Sequence, residues 1–354
     1  MIKTSAPGKL VLVGEYAVLD GAPAMAVAVD RRVQGQWQPR EDGRIVLNLP
    51  PVAGSPISLP TGAEVDWRQS EPGLGELGSA LSHLRQLIEH THPTWLDEAQ
   101  TLSIDSSALH TNAGVKLGLG SSAAVAVAVA GLAAWSARGH LPSRQSLHEQ
   151  LWSQPPHASG SGLDLATVLN GGLIEYRRHV ERSHSAHWNT LQWPESLKGL
   201  IIWSGQSASS PNLVAAHRAW KRDHPKAWSG HFDALNQLAE KAISAFKINN
   251  LDDFIEGLND YGRQMGTMGD SMGAGIVTPM HRHLMLSAAR HGVMYKPSGA
   301  GGGDIGIVLS TDPDRLRAMG DACKGQGLLV LALTPDSKGL ELEAPGAEQR
   351  TQCD

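Results

Sequence analysis

The segment Gly118-Leu119-Gly120-Ser121-Ser122-Ala123 constrains the fold more than any other stretch of this 354-residue chain. It runs directly into an apolar stretch, Ala123 to Trp135, made mostly of Ala and Val. Glycine lacks a Cβ, so the backbone can turn tightly and come close to a ligand. The following residues have the composition of a buried helix. The first turn of such a helix leaves N–H groups free, and its dipole favours an anion there. Ser121 and Ser122 add hydroxyls that can bond phosphate oxygens or ligate Mg²⁺. A capping serine after a tight turn, with no ligand, is the plainer reading of the same residues. The pattern is not GxxxxGK[ST]. Nor is it a dinucleotide fingerprint: that needs an acidic residue about 20 positions on, where Arg138 and His140 stand instead.

Two further glycine-rich loops follow. Lys296-Pro297-Ser298-Gly299-Ala300-Gly301-Gly302-Gly303-Asp304 is wedged between Val293–Tyr295 and the apolar Ile305–Leu309. A flexible linker is longer and polar-flanked, so this loop reads as a close backbone approach between strands. Ser159-Gly160-Ser161-Gly162-Leu163-Asp164 leads into Leu163–Leu169. Asp164 alone reads as a helix-capping residue. Beside an anion site it becomes a candidate base or Mg²⁺ partner.

Composition excludes several classes. Apolar residues make up 41% and charged residues 18%, an ordinary globular balance that argues against disorder. A net charge of −5 argues against a general nucleic-acid or anionic-membrane binder. Cys323 and Cys353 are too few for a disulfide scaffold or a Cys-type zinc site, and the 16 His show no HExxH spacing. The apolar run at Ala123–Trp135 is too short to span a bilayer, and no cleavable leader is visible. A cytoplasmic protein is the default expectation.

The spacing predicts strands at Lys9–Val13, Ala24–Val29, Ile45–Leu49, Leu102–Ile104, Leu173–Arg177, Gly199–Trp203, Ile305–Leu309 and Leu328–Leu333. Helices are expected at Gly78–His90, Gln145–Trp152 (capped by Ser143), Asn212–Arg222, Phe232–Lys247, Leu251–Met265, Pro279–His291 and Asp312–Met319. Residues 50–75 read as loop, and Arg178–Pro194 as a polar surface connection and candidate boundary. The tail after Pro335 reads as frayed. Strands and helices mix without strict alternation, which favours α+β over a doubly wound sheet.

The three loops in this order, with Ala6-Pro7-Gly8-Lys9 at the start, resemble the GHMP kinase superfamily over residues 3 to 310. Lys116 before the second motif (KLGLGSSAA), SGSGLDLAT, IIWSGQSASSPNLV and YKPSGAGGGDIG make the phosphomevalonate kinase branch the most similar. The resemblance implies a two-domain α+β fold. Residues 1–188 would be like ribosomal protein S5 domain 2, and 189–354 ferredoxin-like. ATP and a small-molecule acceptor, 5-phosphomevalonate, would meet in the cleft, with Mg²⁺ as cofactor. Carried over by motif, Lys9 and Asp164 are the catalytic pair. Lys116, Gly118, Leu119, Gly120, Ser121, Ser122 and Ala123 hold ATP, with Ser121 or Ser122 on Mg²⁺. Lys9, Ser161, Gly162, Ser207, Ala208, Ser209, Ser210, Ser298, Gly299, Ala300, Gly301 and Gly302 face the acceptor. No nucleic-acid or membrane partner is implied, and a homodimer is a guess that no residue carries.

Two departures and three rivals accompany the resemblance. His157 stands where the family often has Gln, and no Mg²⁺-binding acid upstream of Asp164 is clear, Glu149 being the nearest. Mevalonate kinase or another small-alcohol kinase is the runner-up. A decarboxylase is disfavoured because Leu163-Asp164-Leu165 stands where an Arg-containing stretch is expected. A non-catalytic relative is disfavoured by the intact Lys9, Ser121, Ser122 and Asp164.

Overall fold

The structure, a computed structural model, describes residues 1–61, 98–155 and 157–345. Its strands in chain order are β1 (Ile2–Val13), β2 (Ala24–Pro39), β3 (Arg44–Asn48), β4 (Ile57–Pro60), β5 (Gln100–Asp105), β6 (Leu173–Arg178), β7 (Ala186–Leu191), β8 (Lys198–Trp203), β9 (Met294–Pro297), β10 (Ile305–Ser310), β11 (Val330–Ala332) and β12 (Glu341–Glu343). The helices are α1 (Ser121–Arg138), α2 (Arg144–Trp152), α3 (Leu163–Asn170), α4 (Ser210–Asp223), α5 (Pro225–Lys247), α6 (Leu251–Met272), α7 (Pro279–His291) and α8 (Pro313–Gly325).

An eight-stranded sheet has the order β12-β1-β2-β5-β3-β4, with β6 and β7 branching from β2. The fork arises because β2 is 16 residues long. Its start, Ala24–Val27, pairs with β6, and its end, Gln34–Pro39, pairs with β5. Among the described strands only β3 and β5 run parallel. A register shift between Pro7 and Gly8 breaks the β1–β2 ladder just before Lys9. Such irregularities re-aim the side chains that follow. Helix α1 lies against this sheet, and its small residues let it pack closely. A Cβ on Gly131 would sit 3.1 Å from Thr4 and Leu340. The Thr4 hydroxyl donates to the Ala128 carbonyl at 2.9 Å. Among the described residues α1 is the one helix long and apolar enough to cross a membrane, and most of it is buried in this core.

The second sheet has four antiparallel strands in the order β11-β8-β10-β9. Read as strand, helices, strand, strand, helix, strand, this is the ferredoxin-like plan. Helices α7 and α8 cover one face through Leu284, Ala288, Leu316, Met319 and Cys323. Helix α6 lies between this sheet and the first: the Tyr261 hydroxyl donates to the Glu15 carbonyl at 2.7 Å.

Three expectations are corrected. The 50–75 loop contains β4, and Arg178–Pro194 contains β7, an edge strand on β6 whose polar residues face solvent. The tail is not frayed through 345. Arg32 binds the Asp336 carboxylate at 2.5 Å and the Gly339 carbonyl at 2.7 Å, and β12 pairs with β1. Polar bonds pin this segment, so it carries no apolar period. The boundary expected at 188/189 falls inside β7, and the first sheet draws on both ends of the chain. The helix expected at Gly78–His90 lies outside the described residues.

Candidate active site

The turn before α1 rests on two left-handed glycines, Gly118 (φ 83°) and Gly120 (φ 76°). Both are needed for contact as well as conformation. A Cβ on Gly120 would lie 2.8 Å from the Cγ and Cε of Lys9, and one on Gly118 would lie 2.5 Å from the Cβ of Asp304. Between them Leu119 is buried, and its carbonyl accepts the Lys9 N–H at 2.9 Å. The turn therefore lies flat on Lys9. Gly120 caps α1 without a side-chain bond, and among the described residues nothing accepts the N–H groups of Ser121, Ser122 and Ala123, which leaves them to a ligand. No described group engages the Ser121 or Ser122 hydroxyl.

Lys9 runs from this turn to a second one. Its side chain is 8% exposed, and Nζ lies 3.0 Å from Oδ1 of Asp164, which is 47% exposed. Asp164 sits in the first turn of α3, so it does not cap that helix; Gly162 does, at φ 79°. A cavity of about 220 Å³ opens beside the pair. The Gly118–Ala123 turn is not on its wall, which brings together predicted residues from the other two glycine-rich loops, Ser161, Gly162, Gly299 and Ala300, with Ser210 at the start of α4. His157 is also on it. Burial lowers the His157 pKa against the pull of Asp164, which keeps the ring neutral.

The other predicted residues stand outside this cavity wall. Ser298 is buried, and its hydroxyl accepts the Val11 N–H and donates to the Val11 carbonyl, both at 3.0 Å. It stitches the third loop to β1. Gly301 and Gly302 pack the same loop inward: a Cβ on Gly301 would meet the Ile276 carbonyl at 2.3 Å, and one on Gly302 would meet Leu213 at 2.7 Å. Ser207 and Ser209 are exposed. Ala208 donates its N–H to Oδ1 of Asp304 at 3.0 Å. Lys116 is exposed and borders the first turn.

Sequence reasoning missed two acids. Asp304, at φ 54°, joins the first turn to the Ser207–Ser210 loop. Burial raises its pKa, while the Ala208 N–H and the charges of Lys9 and Lys116 oppose the rise. Its position at the end of the glycine run was the available signal. Glu15 and Lys296 form a fully buried pair at 2.5 Å, with the Gly299 N–H also on the same Glu15 oxygen at 3.3 Å. Burial lowers the Lys296 pKa, and Glu15 opposes the shift. Next to it Tyr16 donates its hydroxyl to the Ala300 carbonyl at 2.6 Å. These bonds fix the third loop against the end of β1. A pair separated by 281 positions leaves no local pattern.

Chemically the arrangement offers a bare helix start for phosphates, a buried cation beside it, a carboxylate within ion-pair reach, and a cavity for a small molecule. Among the described residues no group of three His, Cys, Asp or Glu side chains is placed to hold a metal.

No family model matches the chain. It is 31% identical to a phosphomevalonate kinase of Streptomyces sp. (strain CL190), covering 95% of this chain and 97% of the relative. It is 27% identical to a mevalonate kinase of Pyrococcus abyssi, covering 97% and 98%. A solved structure of Streptococcus pneumoniae phosphomevalonate kinase in complex with phosphomevalonate and AMPPNP superposes with a TM-score of 0.72 at 19% identity, over 94% of this chain and all of that one. With a relative at 31% identity over nearly the full length of both chains, the protein belongs to the GHMP kinase family of ATP-dependent phosphotransferases.

Proposed function

We propose that this kinase transfers the γ-phosphoryl group of ATP to 5-phosphomevalonate, giving 5-diphosphomevalonate and ADP. The observation that carries the reading is the 31% identity to the Streptomyces phosphomevalonate kinase along 95% of the chain. In this reading the open N–H groups of Ser121, Ser122 and Ala123 take the ATP phosphates. Ser161, Gly162, the Ser207–Ser210 loop and the Gly299–Gly302 backbone take the acceptor, and Lys116 flanks the phosphates.

Mg²⁺ fits a site of this kind, because it commonly uses one or two protein oxygens and fills its shell with substrate phosphates and water. The Ser121 and Ser122 hydroxyls, which no described group engages, and the half-exposed Asp164 carboxylate supply such oxygens. When bound, the ion neutralises charge on the β- and γ-phosphates.

The acceptor decides how hard Asp164 must work. A phosphate monoester has a second pKa of about 6, so it meets ATP already deprotonated. It needs cations against charge repulsion more than a base. Lys9, desolvated beside the phosphate turn, supplies that charge, and Asp164 holds Lys9 in place. Asp164→Asn is then expected to lower kcat about tenfold, against 10²–10³-fold for Lys9→Met.

The mevalonate kinase relatives support a second reading, in which the acceptor is an alcohol. The observation favouring it is that Asp164 faces the cavity unburied, as a general base for a hydroxyl requires. ADP release at fixed Mg-ATP, measured separately with mevalonate and 5-phosphomevalonate, decides between them. Turnover with 5-phosphomevalonate alone supports the proposal. Turnover with mevalonate, joined by a loss beyond 10²-fold in Asp164→Asn, overturns it.

A further inference from the structure

The turn that carries Asp164 into α3 is gripped from behind. Five consecutive carbonyls each accept a side-chain donor from elsewhere in the fold. His184 Nε2 bonds Ala158 at 3.3 Å, and the Arg218 guanidinium bonds Ser159. Trp152 Nε1–H bonds Gly160 at 3.2 Å, the Tyr176 hydroxyl bonds Ser161 at 2.6 Å, and His148 Nε2–H bonds Gly162 at 2.9 Å. The last three donors are buried rings, two from α2 and one from β6.

The rings also hold one another. His148 lies 5.2 Å from Trp152, 4.9 Å from Trp188 and 6.2 Å from Tyr176. Burial depresses the His148 pKa to about 4, so the ring is neutral and carries one proton. Nδ1 is buried without an acceptor, so that proton stands on Nε2 and points at Gly162. The left-handed Gly162 permits the contact: a Cβ there would lie 2.7 Å from both Trp152 Cδ2 and the Tyr176 oxygen.

In a trans peptide the carbonyl and the next N–H point in opposite directions. Fixing the carbonyls of Gly160 and Ser161 on the rings sends the N–H groups of Ser161 and Gly162 the other way. No described group accepts either one, and both residues line the cavity. Without the rings, the described bonds on these planes are confined to the last one: the Leu163 N–H on the Ser161 hydroxyl at 3.2 Å and the Ala166 N–H on the Gly162 carbonyl at 3.0 Å. Glycine itself adds no restraint. The half-exposed Asp164 would then meet Lys9 only loosely.

We infer that Trp152, Tyr176 and His148 are positioning residues for phosphoryl transfer, holding the 160–162 peptide planes so that Asp164 meets Lys9 in one geometry. The inference rests on Asp164 acting at the transferring group and is independent of which acceptor is used.

A double-mutant cycle in kcat tests it. Tyr176→Phe keeps the ring and removes the donor, so the fold is retained. In the parent enzyme it is expected to lower kcat about fivefold, with KM for Mg-ATP changed less than about twofold. In the Asp164→Asn background the same substitution is expected to cost less than about twofold, because the group it positions is already gone. A protein that has merely lost folded fraction loses the same factor in both backgrounds. His148→Gln, which restores an N–H near Nε2, is expected to recover most of the kcat lost in His148→Leu. An equal loss in both backgrounds, no loss in the parent, or no difference between Gln and Leu at 148 overturns the inference. Unchanged kcat in Asp164→Asn alone overturns it at its premise, the role of Asp164, and not at the clamp.

Discussion

The turns that open α1 and α3 share a left-handed glycine at the helix entrance, yet they are held by different neighbours. At α1 the neighbours are backbone and alkyl chain: the Leu119 carbonyl takes the Lys9 N–H, and Gly120 lies on the Lys9 methylenes. At α3 they are rings: Trp152, Tyr176 and His148 take successive carbonyls. The first turn is therefore coupled to a flexible cation and the second to a rigid aromatic core. Disturbing the first should move charge, whereas disturbing the second should first cost stability. Lys9 touches both, and its loss should do the greatest damage. Lys9→Met leaves the cavity wall but removes the charge, and the expected fall in kcat is 10²–10³-fold with an unchanged urea midpoint. A midpoint shift as large as the activity loss would mean that Lys9 serves mainly as packing.

Paired glycine substitutions sharpen the contrast. Gly162→Ala places a Cβ against Trp152 and Tyr176 at 2.7 Å, at φ 79°. Left-handed strain of about 1–2 kcal/mol adds to overpacking of about 1–3, so a loss of roughly 3 kcal/mol in urea unfolding is expected. Gly120→Ala meets only the bendable chain of Lys9. It should cost about 1–2 kcal/mol, the strain alone, while kcat falls more than tenfold as Lys9 is displaced. Equal stability losses in the two variants would erase the distinction drawn here.

The same contrast explains what could be read in the chain. The first turn, the helix behind it and Asp164 were visible because glycine spacing and apolar runs are local. The helical pattern expected at Pro279–His291 is α7 with those ends, where the Thr278 hydroxyl accepts the His281 N–H and the left-handed Gly292 closes the helix. Ser143 was read as a cap, and its hydroxyl does accept the Ser146 N–H. The clamp was not visible, since its donors at 148, 152, 176, 184 and 218 follow no period. The Glu15–Lys296 pair was hidden for the same reason. Strand β7 was missed because an edge strand facing water on one side carries few apolar residues. No sequence pattern separates Trp152 from the other nine Trp. The rings that matter are distinguished by where an N–H points.

Titration separates the turns again. His148 holds the second turn with a pKa near 4 in the fold, against about 6.5 in the unfolded chain. The unfolded chain binds the proton first, so the stability tied to neutral His148 is complete above pH 6.5. It drains as pH falls toward 4, with a limiting slope of about 1.4 kcal/mol per pH unit. His148→Gln removes this contribution. The stability gap between parent and variant should therefore narrow from pH 7 to pH 5, measured by urea unfolding at each pH. A gap that stays constant means that His148 does not titrate with folding.

The smallest expected effect concerns the start of α2, two of whose rings face the second turn. Its N-cap, Ser143, accepts the Ser146 N–H at 3.2 Å, whereas α1 begins on Gly120 with no side-chain bond at all. Ser143→Ala should cost about 1 kcal/mol. The rings lie at Trp152 and His148, beyond the first turn of the helix, and are anchored by their own packing. The lost cap should fray the start of α2 and leave kcat and KM unchanged. If kcat falls along with the midpoint, the hold on Asp164 reaches back through α2 to its cap. The second turn would then depend on helix formation as well as on the rings, a dependence that the first turn, seated on β1, does not share.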